Sequence, residues 1–429
     1  MIATIRRLSQ KDIFRVFSLT AVSTIVKMIT GFVSVKIVSA LIGPAGIALL
    51  GQFSNFSTIF LTFSTAGINT GVTKYVAEYS DSPNKVNLVL RTAIAMIAFM
   101  SILSGIILIL GSSYFSKLIL HDTKYSSVIL IFGCTIIFYS FNSLLLAVLN
   151  GYKEFKNFVI INIISSVVGL LFTCILAFYF GIYGALLAAV TFESIILLVT
   201  LSKIANCAFF KKSSFFGKSN KDILIKLSKY SLMALISAAT VPVSQLIVRS
   251  SIVENSSLND AGLWEAMNRL SAMYLLVITS SLSVYYLPRL SEIKNERELK
   301  KEIFSTYKFV IPPLFVFVVV IFLLKNFIIQ IVFNERFQGM ENLFLFQLIG
   351  DFFKIGSWIL AYQMLARSMT ISYIVTEILG SVLFVGLAIF LIRMYGNLGA
   401  TMGYALTYIF YFIAMVLVFR KLLFTYESN

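Results

Sequence analysis

The sequence predicts an all-α polytopic membrane protein with twelve transmembrane helices, and three observations lead to this prediction. Hydrophobic residues make up 59% of the chain and charged residues only 13%, about half the charged share of a soluble domain. Apolar runs long enough to cross a bilayer recur from about residue 13 to about residue 424. Basic residues fall mainly in every second connector between these runs. Together these features exclude a water-soluble domain.

Each apolar run is expected to form a helix, because every backbone polar group needs an internal partner in lipid. The apolar/polar alternation of a membrane barrel is absent. Turn residues mark the joints, for example Gly43-Pro44 and Gly396-Asn397. We predict spans at roughly 13–42, 44–70, 88–112, 125–149, 157–180, 182–206, 228–252, 260–288, 304–324, 338–365, 370–392 and 396–419.

The placement of basic residues predicts the orientation of the chain. Cytoplasmic connectors of membrane proteins carry an excess of Lys and Arg. When both termini are placed on one side, that side holds most of the 35 Lys and Arg residues. The other side holds only Lys117, Lys124, Lys325, Arg336 and Arg393. Both termini are therefore predicted to be cytoplasmic, and the net charge of +16 reflects this bias, not nucleic-acid binding.

An internal repeat predicts two lobes. The basic connector 209–227 would separate an N-terminal lobe, 1–208, from a C-terminal lobe, 228–429, with six spans each. Residues 181–185, Gly-Ile-Tyr-Gly-Ala, recur about half a chain later as 396–400, Gly-Asn-Leu-Gly-Ala. An even number of spans gives the two halves the same orientation, which is typical of alternating-access transporters.

Ionisable residues inside the predicted spans are the candidate functional residues, since each costs about 2.5 to more than 10 kcal/mol in the hydrocarbon. Glu265 and Arg269 are four residues apart on one helix face, and Asp351 and Lys354 are three apart. Each pair either forms a salt bridge that only positions helices, or takes part in coupling transport to an ion gradient or in gating the cavity. The other candidates are Lys27, Lys36, Arg249, Glu193 and Glu377.

Unpaired basic residues suggest an anionic substrate. Lys27, Lys36 and Arg249 have no acid within helical reach on their own spans, so we predict that they face a wet cavity; snorkelling to an interface is the alternative. Together with Arg269 they would suit a phosphate group, whose oxygens accept several N–H donors. Gln52 and Asn55 on the second span would face sugar hydroxyls, although helix packing explains them equally well.

Other chemistry is not predicted. The chain has one His and three Cys without metal-ligand spacing, so no metal site is expected. It lacks the G-x-x-x-x-G-K-[ST] phosphate loop, which argues against ATP-driven transport. No segment outside the spans is long enough for a catalytic domain. We therefore predict no enzyme activity, no catalytic residues, no cofactor and no nucleic-acid partner.

Several stretches resemble the Wzx-type O-antigen and enterobacterial common antigen flippases, within the multidrug/oligosaccharidyl-lipid/polysaccharide exporter superfamily. The resemblance covers nearly the whole chain. Its strongest stretches are Gly43-Pro44-Ala45-Gly46, Ala66-Gly67-Ile68, Gly71 through Tyr79, Ser283-Val284-Tyr285, Leu287-Pro288, and Gln347 through Asp351 with Lys354.

The resemblance implies a V-shaped protein of two six-helix lobes in the bacterial inner membrane. The implied substrate is an undecaprenyl-pyrophosphate-linked oligosaccharide repeat unit, moved from the cytoplasmic to the periplasmic leaflet. A polysaccharide polymerase and a chain-length regulator are further candidate partners. In this hypothesis four basic residues attract the pyrophosphate: Lys27, Lys36, Arg249 and Arg269. Three further residues either couple transport to an ion gradient or gate the cavity: Glu265, Asp351 and Lys354.

Two other functions stay open at this point. A multidrug or metabolite exporter of the same superfamily would carry unpaired acids in its cavity. A structural scaffold for polysaccharide assembly enzymes would tolerate the loss of every cavity charge. Flippases for lipid-linked peptidoglycan precursors usually have fourteen spans, which is two more than fit this sequence.

Overall fold

The computed structural model describes residues 10–80, 82–205, 207, 220–293, 295–367 and 369–424. No β-strand occurs among these residues, and the predicted all-α fold is confirmed. The α-helices are α1 Gln10–Ser64, α2 Asn69–Glu78, α3 Pro83–Leu110, α4 Ser112–Leu120, α5 Ser126–Gly151, α6 Phe155–Ile204, α7 Lys221–Asn255, α8 Leu258–Ser281, α9 Leu287–Glu292, α10 Glu296–Leu323, α11 Lys325–Val332, α12 Phe344–Ala366, α13 Thr370–Tyr395, α14 Asn397–Val418 and α15 Arg420–Phe424.

Nine helical stretches of the described chain are long and apolar enough to cross a membrane, so the chain is a multi-pass membrane protein. Two of them, Val22–Ser64 with 43 residues and Phe155–Ile204 with 50 residues, are about twice as long as one crossing requires. Each is broken at one glycine with non-helical backbone angles, Gly43 in α1 and Gly181 in α6. Both breaks fall at predicted joints between spans. The total of twelve spans stays a prediction.

The described chain divides into two compact units. Unit 1 comprises the chain up to Val38 together with Phe56–Ala238, and unit 2 comprises Ser39–Asn55 together with the chain from Ala239 onward. Helix α1 therefore contributes to both units. A division of the chain into two consecutive halves would place all of α1 in the first half. The lobes 1–208 and 228–429 stay a prediction about functional halves, and residues 209–219 of the predicted linker lie outside the described residues.

The two copies of the internal repeat have matching local geometry. Gly181 has φ 58° and ψ −134°, and Gly396 has φ 60° and ψ −141°, a conformation that residues with a Cβ rarely adopt. A Cβ on Gly184 would lie 1.9 Å, and one on Gly399 2.3 Å, from a leucine carbonyl oxygen in the preceding helical segment. The glycines shared by the two copies therefore permit the same tight helix-to-helix joint.

Large apolar side chains cover much of the outer surface of the helices. Leu110 is 82% exposed, Phe309 81% and Ile371 79%. Exposed apolar surface of this extent marks contact with another apolar phase, and on span-length helices that phase is the lipid hydrocarbon. Inside unit 1, by contrast, Ile68, Val72 and neighbouring side chains of α3, α5 and α7 form a closed apolar core.

Candidate functional site

A buried ionic cluster in unit 2 is built around Glu265 of α8. The Glu265 carboxylate accepts hydrogen bonds from Arg249 of α7 and from Nε of Arg269 of α8, the latter at 2.8 Å. Arg249 also donates to Oε1 of Gln52 in α1 at 3.0 Å, and its guanidinium lies 5.4 Å from the Trp264 ring. We call Arg249, Glu265 and Arg269 the Glu265 cluster.

The Glu265 cluster confirms one predicted pair and corrects another prediction. Glu265 and Arg269 form the expected salt bridge one helical turn apart. The Arg249 side chain was expected to face an open cavity, but it is only 1% exposed and is enclosed by its partners. Sequence reasoning missed this pairing because the acid lies on the next span, where helical spacing carries no information.

Two guanidinium groups share one carboxylate in this cluster, which leaves it with a net positive charge. The Arg269 side chain is 24% exposed, and its two terminal nitrogens make no hydrogen bond with the described residues. Arginine is suited to binding phosphate through two parallel N–H···O bonds. Arg269 is therefore the most exposed member of the cluster, and its contact with an anion stays a prediction.

Asp351 of α12 is the second buried acid of unit 2. It is 0% exposed and accepts hydrogen bonds from Ser271 Oγ at 2.7 Å, from the Tyr274 hydroxyl and from the Tyr404 hydroxyl at 2.8 Å. Lys354 Nζ donates to the same Tyr404 hydroxyl at 3.3 Å. The direct Asp351–Lys354 salt bridge considered from the sequence is wrong, since no such bridge occurs among the described residues; Tyr404 connects the two groups instead.

A cavity of about 260 Å³ lies within unit 2 beside this network. Its lining combines aromatic, amide and hydroxyl side chains with two charged groups. The Lys354 ammonium lies 5.2 Å from the Trp358 ring, 5.6 Å from the Tyr404 ring and 5.3 Å from the Tyr408 ring. We call it the aromatic cavity; lining residues include Gln245, Trp264, Asn268, Lys354, Trp358, Tyr362, Tyr373, Thr376, Glu377, Gly380, Tyr404, Tyr408 and Tyr411.

The two residues predicted to face sugars have different positions. Gln52 is 4% exposed and donates to Ser250 Oγ at 3.0 Å while accepting from Arg249, so of the two interpretations considered, helix packing fits it and a contact with sugar hydroxyls does not. Asn55 donates to Gln245 Oε1 at 3.1 Å. Gln245 lines the aromatic cavity, so Asn55 contacts a lining residue but is not itself part of the lining.

The two predicted basic residues of the first span belong to unit 1. Lys27 is exposed, and its positive charge acts on the carboxylate of Glu193 in α6. Lys36 is half-buried on the same helix. Among the described residues Lys27 makes no salt bridge with Glu193, and the roles predicted for Lys27 and Lys36 stay predictions.

The stretch Gly71 through Tyr79 forms most of α2, at the cytoplasmic side in the predicted orientation. The Tyr75 and Tyr79 rings stack at 5.9 Å, and Lys226 Nζ donates to the Tyr79 hydroxyl at 3.2 Å. This hydrogen bond raises the pKa of Lys226 above its usual value. A Cβ on Gly151 would lie 2.7 Å from Val76 Cβ, so this motif serves close packing of α2 against α5.

Within the described residues, no group of His, Cys, Asp and Glu side chains is placed to hold a metal ion.

Solved membrane transporters share the fold of this chain. The chain is similar to a solved multidrug resistance MATE family transporter of the MOP superfamily in its inward-facing conformation, with a TM-score of 0.76, 14% identity, and coverage of 94% of this chain and 96% of that one. It is also similar to the lipid II flippase MurJ in its inward closed conformation, with a TM-score of 0.72, 16% identity, and coverage of 95% and 87%. The chain therefore has the fold of a MOP-superfamily membrane transporter.

The family follows from the sequence comparisons. Residues 13–294 match the family described as "Polysaccharide biosynthesis protein". The chain is 31% identical over 398 residues to proteins named "Lipid III flippase" from Escherichia coli (strain K12) and from Shigella flexneri, over 92% of this chain and 94% of theirs. The chain belongs to the polysaccharide biosynthesis protein family.

Proposed function

We propose that this protein is a flippase that moves a lipid-linked oligosaccharide across the bacterial inner membrane. The observation that carries this proposal is the 31% identity to proteins named Lipid III flippase over 92% of the chain. A likeness of this length covers both units and does not come from one shared motif. The fold of a MOP-superfamily transporter is compatible with this function.

The proposed substrate is an undecaprenyl-pyrophosphate-linked oligosaccharide of the O-antigen type, which passes from the cytoplasmic to the periplasmic leaflet. A pyrophosphate that crosses the apolar phase needs positive partners, and three basic residues support this assignment. In unit 2, Arg269 has a partly exposed guanidinium within a cluster of net positive charge. In unit 1, Lys27 is exposed and Lys36 is half-buried. Arg249 stabilises Glu265 and is left out of the substrate contacts.

Coupling to an ion gradient is proposed at Asp351. This carboxylate is fully buried and accepts three hydroxyl hydrogen bonds, while the positive charge of Lys354 acts on it. An intramembrane acid with such a network can bind and release a cation, or a proton, as its partners rearrange. Glu265 is held by two guanidinium groups, so we propose that it gates or positions helices.

Depletion of the protein in its own host tests the proposed function. We expect a polyprenyl-pyrophosphate-linked oligosaccharide to accumulate on the cytoplasmic face of the inner membrane, because its transfer to the other leaflet stops. The lipid-linked intermediates are extracted and their sidedness is measured with an impermeant sugar-modifying reagent. Normal sidedness of every such intermediate after depletion would contradict the proposal.

A matched pair of lysine variants tests the pyrophosphate contacts. In vesicles that carry the lipid-linked unit, Lys27→Gln is expected to slow translocation by about 10- to 100-fold, since a charge-assisted contact contributes roughly 1.5–3 kcal/mol. Lys117→Gln is the control, because Lys117 is an exposed residue in a connector. Equal rates in the two variants would remove Lys27 from the substrate contacts.

A further inference from the structure

The aromatic cavity of unit 2 contains both tryptophans of the chain, Trp264 and Trp358. We infer that this cavity binds a single neutral pyranose ring of the oligosaccharide, so that unit 2 recognises the sugar and not only the pyrophosphate. The inference rests on the proposed function, and it adds a sugar site that the basic residues do not provide.

The size of the cavity fits one ring. Its volume of about 260 Å³ is below the range of about 300–1,000 Å³ that is typical of sites for drug-sized ligands. A whole oligosaccharide does not fit into this space, whereas one monosaccharide does. The cavity therefore holds one residue of a longer glycan, and the rest lies outside it.

The lining suits the two faces of a sugar. A pyranose presents C–H groups on its ring faces and hydroxyls at its rim. Tyr362, Tyr373 and Tyr411 line the cavity, and tyrosine combines a flat apolar ring with a polar hydroxyl at its edge. Gln245 and Thr376 add an amide and a hydroxyl to the same lining. Apolar faces and hydrogen-bonding edges are therefore both available.

Two residues that line the cavity carry buried hydrogen-bond donors without a partner among the described residues. Trp264 is 1% exposed, and neither its Nε1 nor Nδ2 of Asn268 has a partner among the described residues, although both atoms are buried. An unsatisfied buried donor costs about 1–3 kcal/mol. Both residues line the aromatic cavity. A sugar hydroxyl would accept from either donor after a side-chain rotation that turns the donor toward the cavity.

The charges of the lining point to a neutral ligand. Among the described residues, Lys354 and Glu377 are the charged side chains that line the cavity, one positive and one negative. The Lys354 ammonium is also stabilised by three aromatic rings and by the Tyr404 hydroxyl. A sugar with a carboxylate or an ammonium group would meet one favourable and one unfavourable charge, which gives no net attraction.

Intrinsic fluorescence gives a direct test, because all indole emission of this protein comes from residues that line the cavity. The full-length protein in detergent is titrated with glucose and N-acetylglucosamine, and with sorbitol as an open-chain polyol. We expect a saturable change with the two ring sugars and none with sorbitol. Glucuronate and glucosamine are expected to bind more weakly than glucose by about threefold or more, because each buries a charged group that loses its hydration without gaining a net attraction.

Two glycine variants on helix α13 provide the matched comparison. Gly380 lines the cavity, and a Cβ there would lie 3.5 Å from the Tyr411 ring, so Gly380→Leu fits the backbone but fills the space. Gly386 has nothing within 4 Å of its Cβ position, and Gly386→Leu is the control. We expect Gly380→Leu to weaken sugar binding by tenfold or more, which corresponds to about 1.4 kcal/mol, and Gly386→Leu to leave it unchanged.

Three outcomes would overturn the inference: no fluorescence response of the wild-type protein to ring sugars, equal or tighter binding of a charged sugar, or an unchanged response in Gly380→Leu. If Gly380→Leu does not fold, Gly380→Ala is used, with a smaller loss of affinity expected. The two proposals fail separately. If the wild-type protein shows no lipid-linked translocation in vesicles but an intact sugar response, the flippase alone is contradicted. If it translocates the lipid without a sugar response, the sugar site alone is contradicted.

Discussion

At the scale of single residues, the Glu265 carboxylate holds two guanidinium groups, of which Arg249 is almost completely enclosed. We predict that Glu265→Gln lowers the stability by about 3–5 kcal/mol, because it leaves a buried positive charge without its partner. Arg269→Gln is expected to cost less than about 1 kcal/mol, since that side chain is partly exposed. The thermal unfolding midpoints of both variants in detergent check this order.

A double variant separates a lost ion pair from general damage. Glu265→Gln with Arg249→Gln removes both buried charges, and replacing both partners of a buried pair is far less harmful than removing one. The double variant should therefore unfold at a higher temperature than Glu265→Gln alone. A lower midpoint in the double variant would show that Arg249 stabilises the protein through contacts other than Glu265.

Asp351 gives the second prediction at this scale. Asp351→Asn has nearly the same shape, and its one amide oxygen can still accept from Ser271 and Tyr274 while its Nδ2 donates toward the Tyr404 hydroxyl, but it carries no charge that can bind a cation or proton. We expect translocation in vesicles to lose its dependence on an imposed ion gradient, while downhill exchange of the lipid persists. A gradient response equal to that of the wild-type protein would place coupling at another residue.

At the scale of the elements, Gly181 interrupts the long helix α6 and allows it to form two predicted spans. Its φ of 58° with ψ of −134° is available to glycine and strained for other residues. We predict that Gly181→Ala destabilises the protein by about 1–3 kcal/mol. Gly386→Ala lies inside the regular helix α13 and should be neutral or stabilising by up to about 1 kcal/mol. Thermal unfolding of the two alanine variants measures the difference, and equal midpoints would refute a strained joint at Gly181.

At the scale of the whole molecule, the distribution of basic residues predicts that both termini are cytoplasmic. In a background without the three native cysteines, Lys85→Cys and Lys124→Cys place single thiols at exposed positions in connectors on opposite predicted sides. An impermeant thiol reagent added to intact cells that lack an outer membrane barrier should label position 124 and not position 85. Labelling of position 85 after permeabilisation is the control, and the reverse pattern would invert the predicted orientation.

The sequence by itself determined the helical membrane class, the joints at Gly43 and Gly181, and the salt bridge between Glu265 and Arg269. These features depend on hydrophobic length, on glycine at turns and on the 3.6-residue period, and each of these can be recognised within one segment of the chain. Stretches such as Gly71 through Tyr79 predicted a Wzx-type flippase. The polysaccharide biosynthesis protein family is confirmed, and the Wzx-type assignment stays a prediction.

Only the tertiary structure decided which groups meet across helices. Arg249 lies on α7 and its acid on α8, while Asp351 and Lys354 of α12 are connected through Tyr404 of α14. The aromatic cavity takes its lining from five helices. Spacing along one helix fixes which residues share its face, but it contains no information about the neighbour that packs against that face. Partners on other spans are set by helix packing, and for this reason the sequence could identify the charged residues but not their pairing.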